Sequence, residues 1–89
     1  MKRNPQVIWD VVDDVMVLCH TGSGEFFDLN ETAAFLWSIC EDRSMEDLMQ
    51  SLRAEYPDVD GELIDADCRE LIASLEENDF LEANSRPNH

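Results

Sequence analysis

Along this chain apolar and polar residues first alternate and then recur every three or four positions. Val7-Ile8-Trp9-Asp10-Val11-Val12 and Val15-Met16-Val17-Leu18-Cys19-His20 are β-rich runs parted by Asp13-Asp14, which predicts a hairpin. Thr21-Gly22-Ser23-Gly24 is the clearest turn, with two glycines for positive φ, and Glu25-Phe26-Phe27-Asp28-Leu29 reads as a third strand.

The period changes at Asn30, an N-cap type followed by Glu31 and by apolar residues at Ala33, Leu36, Trp37 and Cys40. That spacing predicts a helix over about residues 31–41. Ser44 with Asp47 three positions on resembles a capping box, and Met45, Leu48, Met49 and Leu52 form one face of a second helix that closes at Tyr56-Pro57. After the loop Asp58-Val59-Asp60-Gly61, a third helix over about 61–78 carries Ile64, Cys68, Leu71, Ile72 and Leu75, with Asn78 as its stop. Phe80-Leu81 then folds back as a hydrophobic latch. The expectation is an α+β domain over residues 7–82, a three-stranded antiparallel sheet followed by three helices. Residues 1–6 are expected as a tail before it and 83–89 as a mobile tail after it.

At 89 residues the chain fits one domain, and a hydrophobic fraction of 44% argues for a folded chain rather than a disordered acidic one. Charge narrows the partners: 21 Asp+Glu oppose 6 Lys+Arg, a formal net charge of −15. Residues 10–82 hold every acid and only Arg43, Arg53 and Arg69 as bases, so the body is more negative than the whole chain. A sheet packed on three helices is also the outline of a winged helix-turn-helix. Its third helix, however, would bring Glu62, Asp65, Asp67, Glu70, Glu76 and Glu77 against phosphates with a single Arg69. Nucleic acid is excluded, and anionic membrane surfaces with it. No apolar run approaches a transmembrane length and the start is not that of a signal peptide, so the expected compartment is the cytoplasm.

Chemistry is sparse. Cys19, Cys40 and Cys68 are widely spaced inside apolar patterns and read as small buried hydrophobes. His20, at a strand end with Cys19 on the opposite face, reads as an edge-of-sheet polar residue. Gly22-x-Gly24 lacks the lysine of a phosphate loop, and Asp58, Asp60, Glu62 and Asp65 lack the order of a calcium loop, since Arg69 stands at its twelfth place. Neither a catalytic residue nor a metal set or cofactor site is expected.

The stretch Glu25-Phe26-Phe27-Asp28-Leu29-Asn30-Glu31-Thr32-Ala33-Ala34, followed by Leu36-Trp37, the turn Glu41-Asp42-Arg43, Ser44 to Leu48, Leu52 to Tyr56, the series Asp67, Cys68, Leu71, Ile72, Leu75, and Phe80-Leu81, resembles the PqqD-like family of peptide-recognition elements. Two departures stand out. The glycine common after helix one is missing, and Asp79 replaces a glycine frequent after helix three. The resemblance implies a degenerate winged helix-turn-helix that is not an enzyme. Such a domain binds the leader segment of a ribosomally made precursor peptide as an extra strand on the third strand, in a groove beside the third helix, and presents it to a separate radical enzyme, protease or cyclase. Lasso-peptide, pyrroloquinoline quinone and thioether-peptide precursors all suit it.

The implied peptide contacts are the backbone of Glu25, Phe26, Phe27 and Asp28 into Leu29, with Phe26 as an aromatic wall, and Arg69, Ile72, Ala73 and Glu76 on the helix. Against this, Phe27, Leu29, Cys68, Leu71 and Leu75 occupy the centres of their faces and read as core, and Arg69 is placed to pair with Asp65. A monomer or weak dimer is expected. The alternatives are an acidic domain that binds a basic protein and a small cysteine-based metal or redox protein.

Overall fold

The computed structural model describes residues 1–82; the expected tail at 83–89 lies outside them. Six elements follow in the anticipated order: β1 (Val7–Val12), β2 (Val15–His20), β3 (Phe26–Leu29), α1 (Glu31–Ile39), α2 (Met45–Glu55) and α3 (Gly61–Glu77). The sheet is antiparallel with order β1-β2-β3. Asp13 and Asp14 make the two-residue hairpin turn with φ of 52° and 68°, the left-handed pair that matches strand twist. Gly24 also lies at positive φ, and a Cβ on Gly22 would stand 2.9 Å from the His20 ring.

Alternation divides the sheet. Val7, Leu18, His20 and Leu29 are buried on the inner face, with Met16 and Phe27 packed against the core. The outer face carries Ile8, Val12 and Phe26, all exposed. Each helix begins at a side-chain cap: Asn30 Oδ1 accepts from Ala33 N at 2.8 Å, Ser44 Oγ from Asp47 N at 3.1 Å, and Asp60 Oδ1 from Glu62 N at 2.8 Å. These bonds satisfy N–H groups that have no partner within the helix. The three helices close the core with Leu36, Trp37, Leu48, Leu52, Ile64 and Leu75.

Two helix ends explain the missing glycines. α1 stops at Ile39, two residues before the expected 41, because Cys40 is its C-cap and the chain turns through Asp42 at φ 62°. α3 stops at Glu77 with Asn78 as C-cap. Phe80 N donates to Leu75 O at 2.8 Å and Asp79 N to Glu76 O at 3.1 Å, around Asp79 at φ 68°. This is a Schellman ending with an aspartate in the usual glycine place.

Several expectations are corrected. Residues 1–6 are not a tail: Asn4 N donates to Phe80 O at 3.0 Å, Glu82 N to Lys2 O at 2.9 Å, and Arg3 bridges Leu81. α1 has no basic residue in its last turn. Arg3 supplies one, donating to Trp37 O from Nη2 at 2.6 Å and from Nε at 3.1 Å, with its guanidinium over the Trp9 and Trp37 rings. His20 is buried rather than an exposed edge residue. Asp65 pairs across to Arg53 of α2, not along its own helix to Arg69. Cys40 and Cys68 are buried as expected, whereas Cys19 is half-buried, and all three are free.

Candidate functional site

Among the described residues no strand pairs with the outer edge of β3, and the hydrogen-bond phase of the sheet fixes which of its groups are free. His20 N donates to Glu25 O at 2.9 Å, so that pair is hydrogen-bonded. Alternation then makes Leu18–Phe27 and Met16–Leu29 hydrogen-bonded and Cys19–Phe26 and Val17–Asp28 non-hydrogen-bonded. The N–H and C=O of Phe26 and Asp28 therefore point away from β2, toward solvent. Phe27 and Leu29 spend their backbone groups on β2. Glu25 offers little to a new strand, since its C=O holds His20 and its N–H donates to Ser23 Oγ at 3.3 Å.

Beside this edge runs a groove of about 370 Å³ between β3, α1 and α3. Phe27, Ala33, Leu36, Leu52, Cys68 and Leu71 give it an apolar lining, and Asn30, Thr32, Asp67, Glu70 and Ser74 its polar part. Phe27 is held in place by Phe80, edge to face at 5.5 Å. Asn30 serves twice, as the α1 cap and as a groove residue. The charged side chains of the groove, Asp67 and Glu70, are both acidic.

The structure brings together only part of the expected set. The side chain of Phe27 lines the groove, whereas Phe26 is 71% exposed on the opposite face of the sheet and forms no wall of it. On α3 the groove side is Asp67, Glu70, Leu71 and Ser74, at spacings of three and four. Ile72, expected at the margin of the apolar stripe, is buried in the core, while Leu71, expected at its centre, is half-buried on the groove side. Arg69, Ala73 and Glu76 do not line the groove. At 100° per residue, Arg69 and Glu76 fall on the flank of Asp65, the one turned toward α2. The stripe Asp67-Glu70-Leu71-Ser74 borders the core stripe in the sequence, but which border meets the sheet edge is decided only by how α3 packs.

Chemically the site offers strand pairing and an apolar slot. Burial, with a smaller push from Asp65, raises the Cys68 thiol to about 11, and burial also raises Cys40. Both therefore stay protonated near neutral pH and are poor nucleophiles or metal ligands. No group of three His, Cys, Asp or Glu side chains among the described residues is arranged to hold a metal ion. No helix among them is long and apolar enough to cross a membrane.

The profile of the family described as coenzyme PQQ synthesis protein D (PqqD) matches residues 16–81. Among solved structures, the chain is similar to TbiB1 in complex with the TbiA(beta) leader peptide, at TM-score 0.82 and 29% identity over 97% of this chain and 100% of that one. It is also similar to a lasso peptide synthetase B1 complexed with the leader peptide, at TM-score 0.80 and 32% identity over 92% of this chain and 96% of that one. No curated protein matches the sequence.

Proposed function

The chain belongs to the PqqD family, and we propose from that premise that it is a binding protein, not an enzyme, that captures the leader segment of a ribosomally made precursor peptide. The leader adds as a fourth strand on β3 and lays alternate side chains into the groove against α3. The carrying observation is the unpaired backbone of Phe26 and Asp28 beside an apolar groove. The two similar structures, each solved with a leader peptide, support the same reading.

Magnitudes say how the work is divided. Two N–H and two C=O groups at about 1 kcal/mol net each give about 4 kcal/mol. A micromolar complex needs about 8 kcal/mol. Apolar side chains of the peptide, seated on Phe27, Leu36 and Leu71, must supply the remainder and most of the selectivity. With Asp67 and Glu70 as its charged groups, the groove favours neutral or basic segments over acidic ones.

The held peptide is presented to a separate modifying enzyme, such as a protease, cyclase or radical enzyme, in the cytoplasm. Titration of the isotopically labelled protein with the cognate leader tests the reading. Amide shifts are expected at Phe26 to Leu29 and along Asp67 to Ser74. A leader that is modified in the cell yet leaves both segments unshifted overturns it.

A further inference from the structure

The side of the sheet turned away from the helices is apolar, and none of the described residues covers it. Its middle row is Asp10–Val17–Asp28 across the three strands, fixed by the register. Ile8 and Phe26 lie to one side of that row, 60% and 71% exposed, and Val12 and Val15 to the other, 55% and 39% exposed. Soluble domains usually keep one sheet face polar when it meets water. Here the interruptions are two aspartates, about 10 Å apart across two strand spacings. Neither has a cationic partner among the described residues. Residues 7–30 contain no Lys or Arg at all.

We propose that this face docks a separate protein whose surface sets two Lys or Arg side chains among apolar ones, and that this protein is the enzyme acting on the bound leader. Charge selects it over the other occupants. A second copy would press Asp10 and Asp28 onto the same pair, between chains that each carry a net charge of −15. An anionic lipid surface is repelled in the same way.

Area sets the strength. Two strands of six residues and one of four present roughly 300 Å², well under the roughly 800 Å² per partner of a stable interface, so the face alone holds any protein partner only weakly. It is, however, continuous with the peptide site, because Phe26 gives its side chain to the outer face and its backbone to the free edge. A leader strand on β3 widens the face by its own outward side chains. The partner then meets the domain and its peptide together. This last step rests on the proposed leader binding; the docking face itself does not.

The test uses the full chain with the purified enzyme that modifies the leader, measured with and without the leader. The variants are Asp10→Lys and the double change Ile8→Ser with Val15→Ser; Asp10→Asn is the mild control that keeps the strand intact. Light scattering should find the free protein monomeric. Enzyme affinity should fall at least about tenfold in Asp10→Lys and in the double variant, while leader affinity and thermal unfolding of Asp10→Lys and Asp10→Asn stay at wild-type values. The salt dependence of enzyme binding should be shallower in Asp10→Asn. Unchanged enzyme affinity in Asp10→Lys overturns the proposal, as does a wild-type dimer that Asp10→Lys dissociates. If no leader binds but enzyme binding still depends on Asp10, the function reading fails and the docking face stands.

Discussion

His20 Nε2 lies 3.0 Å from Asp79 Oδ2, joining the last residue of β2 to the residue that terminates α3. The ring's Nδ1 accepts from Gly22 N at 3.0 Å and Ser23 N at 3.1 Å, which assigns the proton to Nε2 and makes it the donor to the carboxylate. Asn4 Nδ2 donates to Asp79 O at 2.9 Å and to Oδ2 at 3.1 Å. One aspartate thus ties together the turn before β3, the end of α3 and the N-terminal segment.

That aspartate holds a left-handed backbone, φ 68°, which a glycine would adopt without strain. Asp79→Ala loses the carboxylate's bonds to His20 and Asn4, keeps the backbone bond from Asn4 and keeps the strain, so it should cost about 2 kcal/mol. Asp79→Gly loses the same bonds but relieves the backbone, and should be about 1 kcal/mol more stable than the alanine variant. Urea unfolding decides it. Equal midpoints for the two variants would show that the left-handed turn is not the constraint.

The phase of β3 makes a sharper prediction about single backbone groups. Proline at Asp28 removes an N–H that points to solvent, a position where an edge strand tolerates it. Asp28→Pro should therefore leave the circular dichroism and melting temperature near wild type while weakening leader binding about tenfold or more. Phe27→Pro removes a bond to β2 and the contact with Phe80, so it should unfold the sheet. An Asp28→Pro protein that binds leader normally would exclude strand addition at β3.

On α3 the two flanks should behave differently. Leu71→Ser and Ser74→Glu alter the groove and should reduce leader affinity about tenfold each. Arg69→Ala and Glu76→Ala, outside the groove lining, should leave it unchanged. Fluorescence anisotropy with labelled leader reads all four. The reverse ranking would mean that the peptide lies on the α2 side of the helix.

Local signals carried the order and most bounds of the elements. Alternation placed β1 and β2, Ser44 and Pro57 bracketed α2, and the aromatic-rich run before Asn30 placed β3. What stayed hidden is what depends on packing between elements. Ile72 and Leu71 are adjacent, both apolar and both near the stripe, so only the tilt of α3 against the sheet decides which is buried. Phe26 and Phe27 differ by one position, and the turn's hold on Glu25 set which backbone was free. His20 reads as a surface residue because its partners, Asp79 and the Gly22-Ser23 amides, lie in a turn and in a helix end distant in sequence. Asp42 and Asp79 stand where glycine was expected and take the glycine conformation, so neither departure changes the path of the chain.

Cys68 links the groove to pH. Its thiol lies fully buried, 3.8 Å from Met45 Sδ, and burial, with help from Asp65, raises it to about 11 from an ordinary 9.0. A thiol is neutral when protonated, so the folded state holds this proton more tightly than the unfolded chain. The stabilisation is complete below the unfolded value near 9 and is lost as pH rises through about 11. At most it is about 3 kcal/mol. The urea midpoint should be flat from about pH 7 to 9 and fall above that, with the fall shallower in Cys68→Ala, where only Cys40 and other groups still titrate. The same thiol at pH 8 should resist alkylation in the folded protein, while half-buried Cys19 reacts first. Rapid labelling of Cys68 without unfolding, read by peptide mass mapping, would mean that the groove opens to its floor. A leader seated in that groove as proposed should then slow the labelling in proportion to occupancy.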